Sequence, residues 1–236
     1  MSKSMRQWSQ YYPNAMNSAL PDELNEQYWL QSDVQQVLSG IQQPGDELEI
    51  YLKKGVRVLD FGCGRGDLAA YILNKEAAYT GADIHKGALD FLQTRYPVAG
   101  TVLLKSGEPL SFSSDSFDVV LVSFVLVSII SDEMVHQTVK ELIRVVKTGG
   151  VIWVTEAGPS PDYQSEYIDG EQLLGKKMIA VSYNERKEIK RFIRHYSSEE
   201  LETLFAPLKV ISKRVVVHPS PSSGKNVHTN ICVFKK

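Results

Sequence analysis

The stretch VLDFGCGRGDLA, Val58 to Ala69, decides the fold. An apolar run ends at Asp60 and Phe61, glycines follow at 62, 64 and 66, and a helical pattern begins near Asp67. Glycines suit a chain that must turn sharply and let a ligand approach with no Cβ in the way, and a helix starting there offers free N–H groups. A dinucleotide fingerprint, G-x-G-x-x-G, would need a glycine at 67, where this chain has Asp67; the third glycine falls one residue early. Asp60 is an additional acid. A second acid, Asp83 in the segment GADIH, lies 23 residues beyond Asp60, about the separation at which a carboxylate reaches a ribose held over the first loop.

Outward from this segment, short apolar runs alternate with helical stretches, the pattern of a parallel sheet covered on both faces. Strands are predicted near Val56–Phe61, Tyr79–Ile84, Thr101–Leu104, Phe117–Val122 and Val151–Thr155. Helices are predicted near Asp67–Asn74, Lys86–Arg95 and Asp132–Val146, the last with Val135, Val139, Leu142, Ile143 and Val146 on one side and a stop at Gly149 and Gly150. After Glu156 regularity is lost for about forty residues, which in this class of fold reads as a lid or insertion over 157–196. Ser197 and Glu200 have capping-box spacing. Two further strands, near Val210–Val217 and Val227–Phe234, have only a Pro/Ser/Gly loop between them and must pair antiparallel. Residues 1–50, rich in Gln and aromatic residues, read as an N-terminal helical cap on a domain over 51–236. The fold class is α/β: a Rossmann-like, doubly wound sheet of seven strands, mostly parallel, with an antiparallel hairpin at its end.

Several function classes recede on bulk grounds. A formal charge of −2 argues against a broad phosphate-binding field, so long nucleic acids are not expected partners. No run approaches 18 apolar residues and no cationic leader stands at the N-terminus, which points to a cytoplasmic protein without a membrane partner. Two cysteines, Cys63 and Cys232, make neither a disulfide framework nor a zinc site, and no metal is expected.

The two acidic motifs resemble those of class I S-adenosylmethionine-dependent methyltransferases, and the likeness extends along the chain. LSFSSDSFDVVLVSFVL and ELIRVVKTGGVIWVTE look like the third-to-fourth-strand segment and the helix, Gly-Gly turn and fifth strand of the small-molecule enzymes of ubiquinone and menaquinone biosynthesis. The resemblance implies S-adenosylmethionine as cofactor, with S-adenosylhomocysteine as product. It assigns Gly62, Gly64 and Gly66 to the loop beneath the methionine moiety and Asp60 to that loop's anchoring and the cofactor amino group. Asp83 would accept from both ribose hydroxyls, Ile84 would lie against the adenine, Ser106 and Gly107 would contact the adenine edge, and Ser123 would line the methionine pocket. Ser106 stands where relatives often have an acid.

The acceptor is less defined. Tyr11 and Tyr12 are either staples of the cap or a wall of the active site. A cationic cluster, Lys176, Lys177, Arg186, Lys187, Lys190, Arg191, Arg194 and His195, is either a solvated face or a grip for a small anionic acceptor, with Arg191 and His195 on one side if the chain there is extended. No general base is named: the histidine that relatives often carry after the fourth strand is replaced here by Val127 and Ser128. Alternatives are a methyltransferase acting on RNA or protein, a nicotinamide dehydrogenase, and a cofactor-binding protein without catalysis. The oligomeric state stays open.

Overall fold

A computed structural model describes residues 48–165, 167, 178–182, 190–219 and 224–236. The cap expected over 1–50 lies almost wholly outside these residues. The described elements are β1 (Arg57–Phe61), α1 (Ala69–Asn74), β2 (Ala78–Asp83), α2 (Lys86–Arg95), β3 (Gly100–Leu103), β4 (Phe117–Ser123), α3 (Asp132–Val145), β5 (Val146–Gly158), β6 (Met178–Ser182), β7 (Lys190–Arg194), α4 (Ser198–Leu204), β8 (Lys209–Pro219) and β9 (Asn226–Lys235).

Seven strands form one sheet in the order β3-β2-β1-β4-β5-β9-β8. The first five are mutually parallel, and β9 runs antiparallel to both β5 and β8. Because side chains alternate along a strand, neighbouring residues feed opposite layers. Val119 and Leu121 join Ile72 and Leu92 of α1 and α2 on one face. Val120 and Val122 join Leu142 of α3 and Leu201 of α4 on the other. Coverage of both faces explains why these strands read as continuous apolar runs.

The helix α3 shows how local signals fix one element. Ser131 caps it by accepting from the Met134 amide, and Asp132 and Glu133 sit in the first turn, where the helix dipole favours negative charge. Val135, Val139, Leu142 and Val145 are buried, and truncating Leu142 would cost roughly 2–5 kcal/mol. The capping box at Ser197 is likewise present: its hydroxyl accepts from the Glu200 amide at 3.1 Å and the Glu200 carboxylate accepts from the Ser197 amide at 2.7 Å.

Two expectations need correction. The helix ends at Val145, one residue before the expected Val146, but Gly149 and Gly150 are not its stop: they lie inside a β5 that begins at Val146 and not at Val151. A Cβ on Gly150 would come within 2.8 Å of the Asp118 carbonyl, so this glycine serves a close approach of β5 to β4. The segment read as irregular contains an antiparallel hairpin, β6 with β7, in register from Met178 opposite Arg194 to Ser182 opposite Lys190. Among the described residues no helix is long and apolar enough to cross a membrane.

Candidate functional site

Chain order reverses between β1 and β4: the chain leaves β1 toward β2 and β3, then returns to β4 on the other side. In open α/β sheets the crevice outside the carboxyl ends of the strands at such a point is the ligand seat. Here its walls are the loop after β1 and the loop after β4.

The first wall is the glycine loop. Gly62, Gly64 and Gly66 all have positive φ. The Gly62 amide donates to the Ala82 carbonyl at 2.7 Å, tying the loop to β2. A Cβ at Gly62 would lie 2.4 Å from Cγ2 of Val125 in the opposite wall. Around Gly64 the reverse holds: among the described residues other than its chain neighbours, none has an atom within 4 Å of the position a Cβ would take, and that face stands open toward the crevice.

Asp83, at the end of β2, stitches the loop in place. Its Oδ2 accepts from the Gly64 amide at 2.8 Å and its Oδ1 from the His85 amide at 2.9 Å. Each carboxylate oxygen keeps a further lone pair for an incoming hydroxyl. Asp60 is buried beneath the loop and accepts from the Tyr79 hydroxyl at 2.7 Å. Burial pushes its carboxyl up to about 7, against the Tyr79 hydrogen bond and with help from the acidic neighbours Asp83 and Asp67. Cys63 is buried too, and burial pushes its thiol far up, away from the reactive thiolate.

The other residues assigned to the cofactor lie at the same carboxyl end. Ile84 follows Asp83 and is half-buried, Ser106 and Gly107 form an exposed turn after β3, and Ser123 closes β4 opposite Thr155.

The second wall begins at Phe124, a non-glycine residue with φ of 54°, and runs through a 3-10 turn at Leu126–Ser128. Glu156 of β5 stands behind it. This fully buried carboxylate accepts from the amides of Val125 (3.0 Å) and Leu126 (2.7 Å) on Oε1 and of Val127 (3.1 Å) on Oε2. Burial pushes the carboxyl up to about 8 while the three amides pull it down. Sequence reasoning missed both Glu156 and Tyr79; an acid ending a buried strand was the only sign of the first.

His195 lies just beyond β7 and is buried. Its Nδ1 shares a 2.6 Å hydrogen bond with the Tyr167 hydroxyl, which also accepts from the Ser160 amide at 2.9 Å. Tyr163 and Tyr167 meet the imidazole edge-on. Burial holds this histidine down at about 4, outweighing a hydrogen bond to the Gly158 carbonyl, so the ring is neutral near pH 7. Arg194 is committed inward, bonded to Asp132 at 2.6 Å and stacked over Tyr196. Arg191 pairs with Val181 in the hairpin backbone. Tyr11, Tyr12, Lys176, Lys177, Arg186 and Lys187 lie outside the described residues. No group of three or more potential ligands for a metal occurs among the described residues.

Residues 58–150, which span β1 to the start of β5 and both walls of the crevice, match the family described as a methyltransferase domain. The fold is similar to that of a SAM-dependent methyltransferase from Methanosarcina mazei, at 21% identity and a TM-score of 0.73 over 80% of this chain and 96% of that one. It is also similar to the 1,6-didemethyltoxoflavin N1-methyltransferase of Burkholderia thailandensis, whose structure holds that acceptor and S-adenosylhomocysteine, at 15% identity and a TM-score of 0.65 over 100% and 92%. A third similar fold is that of the cyclase SpnF, at 15% identity and a TM-score of 0.58 over 78% and 76%. Curated protein sequences give no significant match. The class I methyltransferase fold is thus shared with enzymes of more than one chemistry.

Proposed function

We propose that the protein is an S-adenosylmethionine-dependent methyltransferase acting on a small, anionic acceptor. The observation that carries this reading is the cradle at Gly64: a backbone face that no other described residue fills, with its amide held by the Asp83 carboxylate at the end of the neighbouring strand. The residues present fit the cofactor. Asp83 would receive the ribose hydroxyls, Ile84 the adenine face, Ser106 and Gly107 the adenine edge, and Gly62, Gly64 and Ser123 the methionine chain. Asp60 would receive the amino group through the loop that it underlies.

The cofactor supplies an activated methyl group on a sulfonium. This chain's residues then have to hold the acceptor in line with it and exclude water, and such orientation supplies up to about 7–11 kcal/mol in favourable cases. An acceptor already ionised at neutral pH needs no base from the protein, consistent with a site for which none is named. On the acceptor side we assign Tyr11 and Tyr12 to the closing wall and Arg191 to the anion, since arginine grips a carboxylate or phosphonate with two parallel hydrogen bonds. His195, neutral and bonded to Tyr167, contributes shape and a hydrogen-bond relay, not charge. The likeness to quinone-pathway enzymes and the bound acceptor in the Burkholderia neighbour support a small-molecule substrate.

Calorimetry with S-adenosylmethionine, S-adenosylhomocysteine and NAD tests the cofactor, with saturable binding expected for the first two alone. Binding of NAD with no response to either sulfonium or thioether nucleoside sinks the reading. A methyl-label screen against metabolite extracts tests the acceptor; label found only in RNA or protein overturns the small-molecule part.

A further inference from the structure

We infer that Glu156 is a positioning residue for the cofactor crevice, fixing the backbone from Phe124 to Val127 as the wall against which the glycine loop closes. The inference rests on the methyl-donor reading above. A carboxyl group removed from water is costly unless its oxygens are hydrogen-bonded, and among the described residues Glu156 has backbone amides and no cation as partners. Those three amides open the 3-10 turn at Leu126–Ser128, whose preceding residue, Val125, supplies no side-chain cap of its own. They would be orphaned without an acceptor.

The carboxylate also holds an unfavourable backbone. Phe124 sits in the left-handed region, which is costly for a residue with a side chain and persists where the surroundings impose it. Upstream, the Phe124 amide donates to the Thr155 carbonyl at 2.8 Å, and downstream Glu156 seizes the next three amides, so consecutive residues of β5 fix both sides of the bend. The Tyr196 hydroxyl, at 3.3 Å from the Leu126 carbonyl, adds a bond from the far side. The result reaches the crevice through Val125, whose side chain occupies the space above Gly62. If Val125 moves, the glycine loop loses the surface it closes on.

Shape alone does not require an acid here, so its replacement by an amide separates the roles. Glu156→Gln keeps the volume and one acceptor oxygen but turns an N–H₂ toward at least one of the three amides. The expected outcome is a folded protein that binds S-adenosylhomocysteine at least about tenfold more weakly, the effect of leaving one buried amide without its acceptor, with Glu156→Ala weaker still. Hydrogen exchange gives a second readout: the Val125, Leu126 and Val127 amides should exchange faster in Glu156→Gln while those of β1 and β4 keep their protection. Parental affinity in a folded variant overturns the inference. So does outright unfolding of Glu156→Gln, because the carboxylate would then be holding the fold and not the wall. If the parent protein itself ignores S-adenosylhomocysteine, the methyl-donor reading falls, and the exchange pattern still decides whether Glu156 sets the wall.

Discussion

The loop after β1 takes its shape from side chains it lacks, and the loop after β4 from a side chain that belongs to neither loop. In the first, glycines at 62, 64 and 66 adopt positive φ without steric cost, and Asp83 fastens the result. In the second, Phe124 adopts positive φ under constraint, and the buried carboxylate of Glu156 gathers the three amides that follow. The two plans meet at one contact, Val125 over Gly62. Glycine buys room for a ligand at the expense of chain entropy; the buried acid gives rigidity at the expense of desolvation.

The sharpest way to break this comparison is to add one methyl group to each of two glycines. Gly62→Ala places Cβ against a Val125 whose amide is tied to Glu156, so the neighbour cannot yield. Strain at φ of 71° plus overpacking should cost roughly 2–5 kcal/mol of stability, read by denaturant unfolding. Gly64→Ala meets no atom of the other described residues and should cost only about 1–2 kcal/mol, yet it fills the open face and should abolish measurable cofactor binding. Parental affinity in Gly64→Ala would show that the open face is not the ligand seat.

A smaller effect is expected at Asp83. Asp83→Ala leaves the Gly64 and His85 amides without their acceptor and would remove the bonds to the ribose proposed for it, so affinity for S-adenosylhomocysteine should fall at least about tenfold in a protein that still folds. Unchanged calorimetric affinity would leave the glycine loop self-supporting.

The smallest effect concerns protons. Asp60 is held up at about 7 by burial, so below that pH it is neutral and a poor partner for a cationic amino group. The carboxyl loses its proton as pH rises, so cofactor affinity should rise roughly fivefold from about pH 6 to about pH 8 and flatten in Asp60→Asn. Tyr79→Phe, which removes the hydrogen bond opposing burial, should shift the inflection upward. A profile identical in all three proteins would remove Asp60 from the binding event.

The same contrast explains what could be read from the sequence. Positive φ at a functional turn selects glycine, so the first wall announced itself within six residues, and period and polarity located all five parallel strands and the terminal antiparallel pair. Backbone amides carry no residue signature, so the partners of Glu156, some thirty positions upstream, left no pattern beside it. Tyr79 was hidden for a related reason: an aromatic residue inside a buried strand reads as packing, and only the fold brings its hydroxyl to Asp60. The start of β5 was misplaced because Gly149 and Gly150 have the look of a helix stop, whereas the chain turns extended at Val146 and uses Gly150 to let β5 pass close to β4. The β6–β7 hairpin was missed because charge interrupts the alternation of Lys190–Arg194.

The place of β9 bears on how the molecule comes into being. This strand follows β8 in chain order, yet it lies between β5 and β8 and not at the rim of the sheet. From Gly158 to Lys235 is 235 − 158 = 77 residues, so at about 5–20 residues per second a ribosome leaves β5 unpaired on that side for roughly 4–15 seconds. Throughout that interval the apolar edge from Val151 to Val154 is a bare template for a neighbouring chain. The nascent protein is therefore most exposed to association with its own copies after its ligand crevice has been synthesised and before its sheet is closed.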